Sequence, residues 1–135
     1  LAAAQYNLNQ PFALNGHKAV VVALGDDQPS ERLVRALEKS PFLIVLASHA
    51  SKLTAKADVV LPVETWLEQE GHYLNADGRL QLAQKSLAAP ENVWSSLEVL
   101  NKFASLLNVR VNNNWDKELT KRVSPVEIHA RLLQE

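Results

Sequence analysis

Cysteine is absent from this chain of 135 residues, and that one absence removes disulfides, thiolate-held iron–sulfur clusters and cysteine nucleophiles together. Methionine is absent too, even at position 1, so the sequence reads as a processed chain or a piece of a longer protein. There are only four glycines, and none pairs with another directly after a strand, so the G-x-G-x-x-G fingerprint of dinucleotide binding is missing. No apolar run approaches the roughly 20 residues needed to cross a bilayer. The opening LAAAQYNLNQPFALNGHK has neither the basic start nor the long apolar centre of a secretory signal. A cytoplasmic location is therefore expected, including the cytoplasmic face of a membrane if the protein sits in a complex. Neither sign of charge dominates: the formal net charge is -1, which gives no electrostatic footprint for nucleic acid.

What is present suffices for one domain with a real core, since 47% of the residues are hydrophobic. Residues 1–17 scatter Asn7, Asn9, Pro11, Asn15 and Gly16 among apolar side chains without a period and read as a lead-in. Residues 18–25 form a valine-rich run ending in Gly25, the pattern of a strand buried on both faces of a parallel sheet. Ser30 is placed to cap a helix over 31–39, with Leu33, Val34 and Leu37 on one face. Apolar runs at 41–48 and 58–63 flank a short helix-like segment, Ser51–Ala57. The order is βαβαβ, which predicts right-handed crossovers. Ala76-Asp77-Gly78 between residues 72–75 and 79–82 signals a hairpin. Pro90 opens a predicted helix carrying Val93, Trp94, Leu97, Leu100, Phe103, Ala104 and Leu107. After a polar stretch over 109–122, Ser124-Pro125-Val126-Glu127 is a capping box for a terminal helix to about Leu133.

Ligands of open parallel sheets bind at the carboxyl ends of the strands, so Gly25-Asp26-Asp27 and Ala47-Ser48-His49 are the loops that matter most. The simpler reading is that Gly25 ends a strand while Asp26 and Asp27 solvate a turn. The four histidines lack the i, i+4 spacing of a helical metal pair, so no metal site is expected. Ser48, His49 and Asp58 could be drawn as a catalytic triad, but no G-x-S-x-G elbow accompanies them. Glu64 and Glu68 fall at i, i+4 and read as a solvated acidic face of one helical turn opposite Trp66 and Leu67. Arg79, just past the Asp-Gly turn, presents a five-donor fork expected to pair with Glu68 or, alternatively, with a cofactor phosphate.

Thirteen residues carry a resemblance: Ala57, Asp58, Val60, Leu61, Pro62, Thr65, Glu68, Glu70, Gly71, Asn75, Gly78, Arg79 and Gln81. In order and spacing they are similar to the A-D-x-V-L-P strand, E-x-x-G-T, asparagine, E-G-R turn and glutamine of the molybdopterin oxidoreductase superfamily. The resemblance covers residues 18–108. His72 stands where threonine is usual, Asp77 replaces a glutamate, and Gly25-Asp26-Asp27-Gln28-Pro29 departs from a G-x-N-P loop.

This resemblance implies a three-layer Rossmann-like α/β domain at 18–108, with a parallel sheet, a hairpin excursion and C-terminal helices. Residues 109–135 then follow as an irregular segment and a helix. The superfamily includes formate dehydrogenases, nitrate reductases and the large iron–sulfur subunit (75-kDa, G type) of NADH:quinone oxidoreductase, respiratory complex I. Two readings follow, and a generic βαβ ligand-binding module is a third. In the leading one the sequence is a scaffold domain of a protein like that large complex I subunit. It has no redox centre or turnover of its own, its partners are other domains and subunits, and the parent's iron–sulfur clusters lie elsewhere. In the alternative it binds molybdopterin guanine dinucleotide through Gly25, Asp26, His49, Gly71, His72, Asn75 and Arg79. If Glu135 is the true end, the absence of a barrel-like pattern after residue 108 favours the first, in which Glu68, Gly71, Asn75 and Arg79 hold a corner of the fold.

Overall fold

The computed structural model describes residues 13–74 and 80–111. The three apolar runs become strands β1 (Val20–Gly25), β2 (Leu43–Ala47) and β3 (Val59–Pro62). They are ordered β1-β2-β3, with both pairings parallel. Val22 lies beside Val45, and Val45 beside Val60. Because side chains alternate along a strand, Leu43, Val45 and Ala47 point to one face of the sheet and Ile44 and Leu46 to the other. Gly25 ends β1 in the left-handed region at φ 59°, where the register with β2 slips. A side chain there would be strained.

The first face is covered by α1 (Glu31–Leu37), whose start is set by Ser30: its hydroxyl accepts the Leu33 N–H at 3.2 Å. Val34 and Leu37 from α1 join Val20, Leu43, Val45 and Ala47 in one buried cluster. Leu53 completes it from the β2–β3 crossover, whose regular structure is a single 3₁₀ turn at Thr54–Lys56. Two ion pairs, Lys52 with Glu31 and Lys56 with Glu38, tie that crossover to α1.

The second face is covered by α2 (Ser96–Leu106), which brings Val99 onto Leu46 and Val63 with Ile44, Leu61 and Phe103 around them. Helices on both faces make the three layers that the βαβαβ pattern implies. Val45 and Leu46 are fully buried on opposite faces, so β2 is the central strand. β1 departs from the expectation of burial on both sides: Val21 is 47% exposed and Ala23 is exposed as well. The buried contacts of α2 fall on β2 and on the end of β3, which leaves that side of β1 uncovered.

Two further boundaries differ from the sequence reading. The helix expected from Pro90 begins only at Ser96, because Ser95 and Glu98 form a reciprocal capping box. The residues before it are occupied otherwise: Asn92 turns through φ 65°, and Trp94 bridges to Val63 beside β3. The expected helical turn after Pro62 is a tight turn instead, with the Glu68 N–H donated to Thr65 O at 3.0 Å.

The hairpin is present as β4 (Gly71–Leu74) and β5 (Leu80–Ala83), antiparallel, with Gly71 opposite Ala83 and Tyr73 opposite Gln81. Its Asp77-Gly78 turn lies outside the described residues, as do the lead-in up to residue 12 and the terminal helix expected from Ser124.

Candidate functional site

The carboxyl ends of β1 and β2 bring Gly25, Asp26, Ser48 and His49 together. Ser48 anchors the pair of loops twice over: its backbone N–H and its hydroxyl both reach Gly25 O, at 3.1 and 3.0 Å. The hydroxyl also contacts Asp26 Oδ1, and His49 Nδ1 lies 2.8 Å from it. Asp26 Oδ2 accepts the backbone N–H of Trp66 at 2.6 Å, so this carboxylate joins the loop after β1 to the turn after β3. Asp26 therefore does not solvate its turn: both of its oxygens have partners within the chain. Asp27 is exposed and follows the simpler expectation.

The chemistry of this cluster is that of a brace. A Ser-His-acid relay needs the imidazole between the hydroxyl and the carboxylate. Here the Ser48 hydroxyl stands between them, and His49 Nδ1 is 3.7 Å from Asp26 Oδ1. The third member drawn from the sequence is elsewhere: Asp58 Oδ2 accepts the Leu43 N–H at 2.7 Å, at the opposite end of β2. The paper triad, already without a G-x-S-x-G elbow, is not assembled: Asp58 precedes β3 at the amino end of the parallel sheet, whereas Ser48 follows β2 at the carboxyl end.

Beside the brace lies an open cavity of about 450 Å³, lined by Ser48, His49, Ser51 and Thr54 on one side and by Ala55, Val60 and Pro62 on another. Its apolar wall has a topological cause. The β2–β3 crossover forms one 3₁₀ turn rather than a full helix, so Val60 remains 43% exposed. Sequence reasoning missed this wall. Alternating apolar residues on a strand preceded by so short a crossover are the signal that could have revealed it.

The second group of expected site residues sits around the hairpin. Gly71 and His72 open β4, with His72 exposed and opposite Leu82. Asn75 and Arg79 lie outside the described residues, as does any pairing of Arg79 with Glu68. The Glu68 carboxylate is used locally, accepting the Thr65 N–H at 2.9 Å. Glu64 corrects the solvated-face expectation: its side chain is only 12% exposed and pairs with Lys85 at 3.0 Å. That pair, with the N–H groups of Ser86 and Leu87 donated to Leu67 O, returns the hairpin to the turn after β3.

Charge at the site is spent on internal contacts. Glu31 raises the pKa of Lys52 through a hydrogen bond and its charge, and Lys56 lowers that of Glu38 in the same way. Among the described residues no group of three or more His, Asp or Glu side chains could hold a metal ion. No helix among them is long and apolar enough to cross a membrane.

The family model for molybdopterin oxidoreductase matches residues 5–106. The G-type subunit of NADH-quinone oxidoreductase from Rickettsia felis is 28% identical over 116 residues, covering 86% of this chain and 16% of the relative. The F420-dependent formate dehydrogenase subunit alpha of Methanocaldococcus jannaschii is 29% identical over 91 residues, 67% of this chain and 14% of that protein. A nitrate reductase of Symbiobacterium thermophilum is 35% identical over 83 residues, 58% of this chain and 11% of its own length. The chain thus spans about one sixth of the relatives it matches over most of its length. With the family model covering most of its residues, from the lead-in to the end of α2, the chain belongs to the molybdopterin oxidoreductase family.

Proposed function

We propose that this chain is a scaffold domain of a protein like the G-type subunit of NADH:quinone oxidoreductase. It braces the parent subunit and docks neighbouring domains, with no redox centre of its own. The observation that carries this reading is Asp26. Its carboxylate occupies the position after β1 where a nucleotide would approach the sheet, yet one oxygen is engaged by Ser48 and the other by the Trp66 N–H. The rest of that loop is acidic, with Asp27 and Glu31 flanking Ser30. The nearby cation, Lys52, is paired with Glu31. Carboxylates repel a diphosphate, and a donor already engaged does not bind one. The described residues therefore do not fit the pyrophosphate of a pterin dinucleotide at this loop. Relatives named as G-type subunits of NADH-quinone oxidoreductase match most of the chain, in keeping with a multi-subunit assembly on the cytoplasmic face of a membrane. Iron–sulfur clusters of such a parent would be held by cysteines outside this stretch.

The second reading, a domain binding molybdopterin guanine dinucleotide, is favoured by the open cavity beside Ser48 and His49. The formate dehydrogenase and nitrate reductase relatives also support it. Metal and pterin analysis of the intact parent protein separates the two. The scaffold reading expects iron without molybdenum, tungsten or a pterin. One of those metals together with a pterin at one or more equivalents per chain would establish the second reading.

A further inference from the structure

The two edges of the three-stranded sheet are finished differently. Beside β3 the edge is closed: Pro62 has no N–H to offer, Val63 bridges to Trp94, and the Glu64 N–H is donated to Trp94 O at 3.0 Å. β1 forms the other edge, and among the described residues no strand lies outside it. Natural sheets blunt an edge with lysine, proline or an inward-pointing charge. Val20-Val21-Val22-Ala23-Leu24-Gly25 has none of these.

The backbone of β1 shows what that edge offers. The Val20 N–H is donated to Phe42 O at 2.9 Å, and a parallel ladder bonds alternate residues of a strand to one neighbour. Val20 and Val22 therefore bond to β2, while the N–H and C=O groups of Val21 and Ala23 point away from it. The same two residues carry the uncovered side chains. Val21 is 47% exposed and Ala23 is exposed, on the face where α2 reaches only β2 and the end of β3. Among the described residues, Val21 and Ala23 thus have neither a strand at their edge nor a helix over their face.

That double gap selects the occupant. A second copy joined across a two-fold axis would set β1 antiparallel to its own equivalent and satisfy the edge. It would also bring another uncovered Val21 and Ala23, with no helix to lie on either pair. A parallel strand with its crossover helix meets both needs, because the crossover packs on the face of the sheet. Proteins like the relatives have polypeptide to supply it: the match takes up only 16% of the Rickettsia felis G-type subunit. We propose that β1 is an interior strand of a larger sheet, with a parallel strand from another part of the parent chain on its outer edge and that strand's crossover helix over Val21 and Ala23. This inference rests on the reading of the chain as one domain of a longer subunit, and it is independent of whether a pterin is bound.

Hydrogen exchange resolved to single amides tests it. In the intact parent protein Val21 and Ala23 should exchange within about tenfold of Val22, whereas in a dilute solution of the 135-residue chain they should exchange at least about a hundredfold faster than Val22. Fast exchange at Val21 and Ala23 in the parent would overturn the proposal. So would slow exchange in the 135-residue chain: at every concentration it would place the edge partner within these residues, and only at high concentration it would place a second copy there. A leucine-sized diazirine amino acid replacing Val21 in the parent identifies the cover. Its photoproduct should join position 21 to a residue of the same chain outside these 135. A link within them, a link to a second copy, or quenching by water alone would overturn the proposal. Metal and pterin content of the same preparation reports on the scaffold reading by itself, so the two can fail separately.

Discussion

The two ends of β2 are built by the same device. At the amino end Asp58 reaches across to accept the Leu43 N–H at 2.7 Å, and at the carboxyl end Asp26 reaches across to accept the Trp66 N–H at 2.6 Å. In an open parallel sheet the amino end is a place for stability, and the carboxyl end is where ligands approach. Here the end expected to bind is stapled much like the end expected to support. What separates them is what surrounds the staple: the carboxyl end has an open cavity, Trp66 is 59% exposed, and the His49 side chain is 58% exposed. A carboxylate committed to a backbone N–H and a hydroxyl contributes to the fold first. It can meet a ligand only by giving up those partners.

The largest effect tests what the two ends share. Leu46 is fully buried at the centre of β2, under Val63 and Val99. Leu46→Ala should destabilise the chain by about 2–5 kcal/mol, since the sheet and α2 cannot collapse onto the space left. Urea denaturation followed by far-UV circular dichroism measures it. A loss below about 1 kcal/mol would mean that α2 does not seal this face.

The next two substitutions weigh the staples against each other. Asp26→Ala removes an acceptor that serves two groups and joins three loops, and should cost about 2 kcal/mol. Asp58→Ala removes the acceptor of one N–H and should cost about 1 kcal/mol. Comparable losses, both read from urea midpoints, support the view that the two ends do the same work. If Asp26→Ala left stability unchanged or raised it, the carboxylate would be held in place for something other than the fold. The comparison between the ends would then reverse.

How legible this was in the sequence depends on the length scale of the signal. The three strands and α1 were readable because apolar runs and a Ser30 cap are local, and the hairpin was readable from residues flanking Asp-Gly. The start of α2 was misjudged because Pro90 and Ser95 both offer helix starts. The Ser95/Glu98 box sets the later one, and the Val63–Trp94 bridge, a contact between distant residues, occupies the stretch in which the earlier one would have run. The candidate site was legible as a place but not as chemistry. Gly25, Asp26 and His49 do converge with Ser48. The role of Asp26, however, is set by Trp66, 40 positions further on, and no local pattern announces that bond. Asp58 gives a second case. It was read as part of the family's A-D-x-V-L-P strand, and its bond to the Leu43 N–H, 15 positions earlier, is likewise announced by no local pattern.

The smallest expected effect bears on α2, which must be in place for the carboxyl-end loops to rest on a closed core. Glu98 accepts the Ser95 N–H at 2.9 Å and returns its own N–H to the Ser95 hydroxyl. Those hydrogen bonds from the Ser95 backbone and hydroxyl hold its pKa below the ordinary glutamate value, with smaller help from Lys102 and Lys85. A depressed carboxylate pKa means the unfolded chain takes up the proton first. The stabilisation is therefore complete above the ordinary glutamate range and is lost as pH falls through the lower folded value. Hydrogen exchange of the first turn of α2, followed from neutral pH into that acid range and corrected for intrinsic rates, should show protection falling. Glu98→Gln tests the cause, because its amide oxygen can still accept the Ser95 N–H but does not titrate. In that variant the acid-dependent part of the loss should vanish while the helix start stays at Ser96. An unchanged acid response would mean that the titrating group controlling α2 lies elsewhere. The capping box would then fix where the helix begins without governing how firmly it is held.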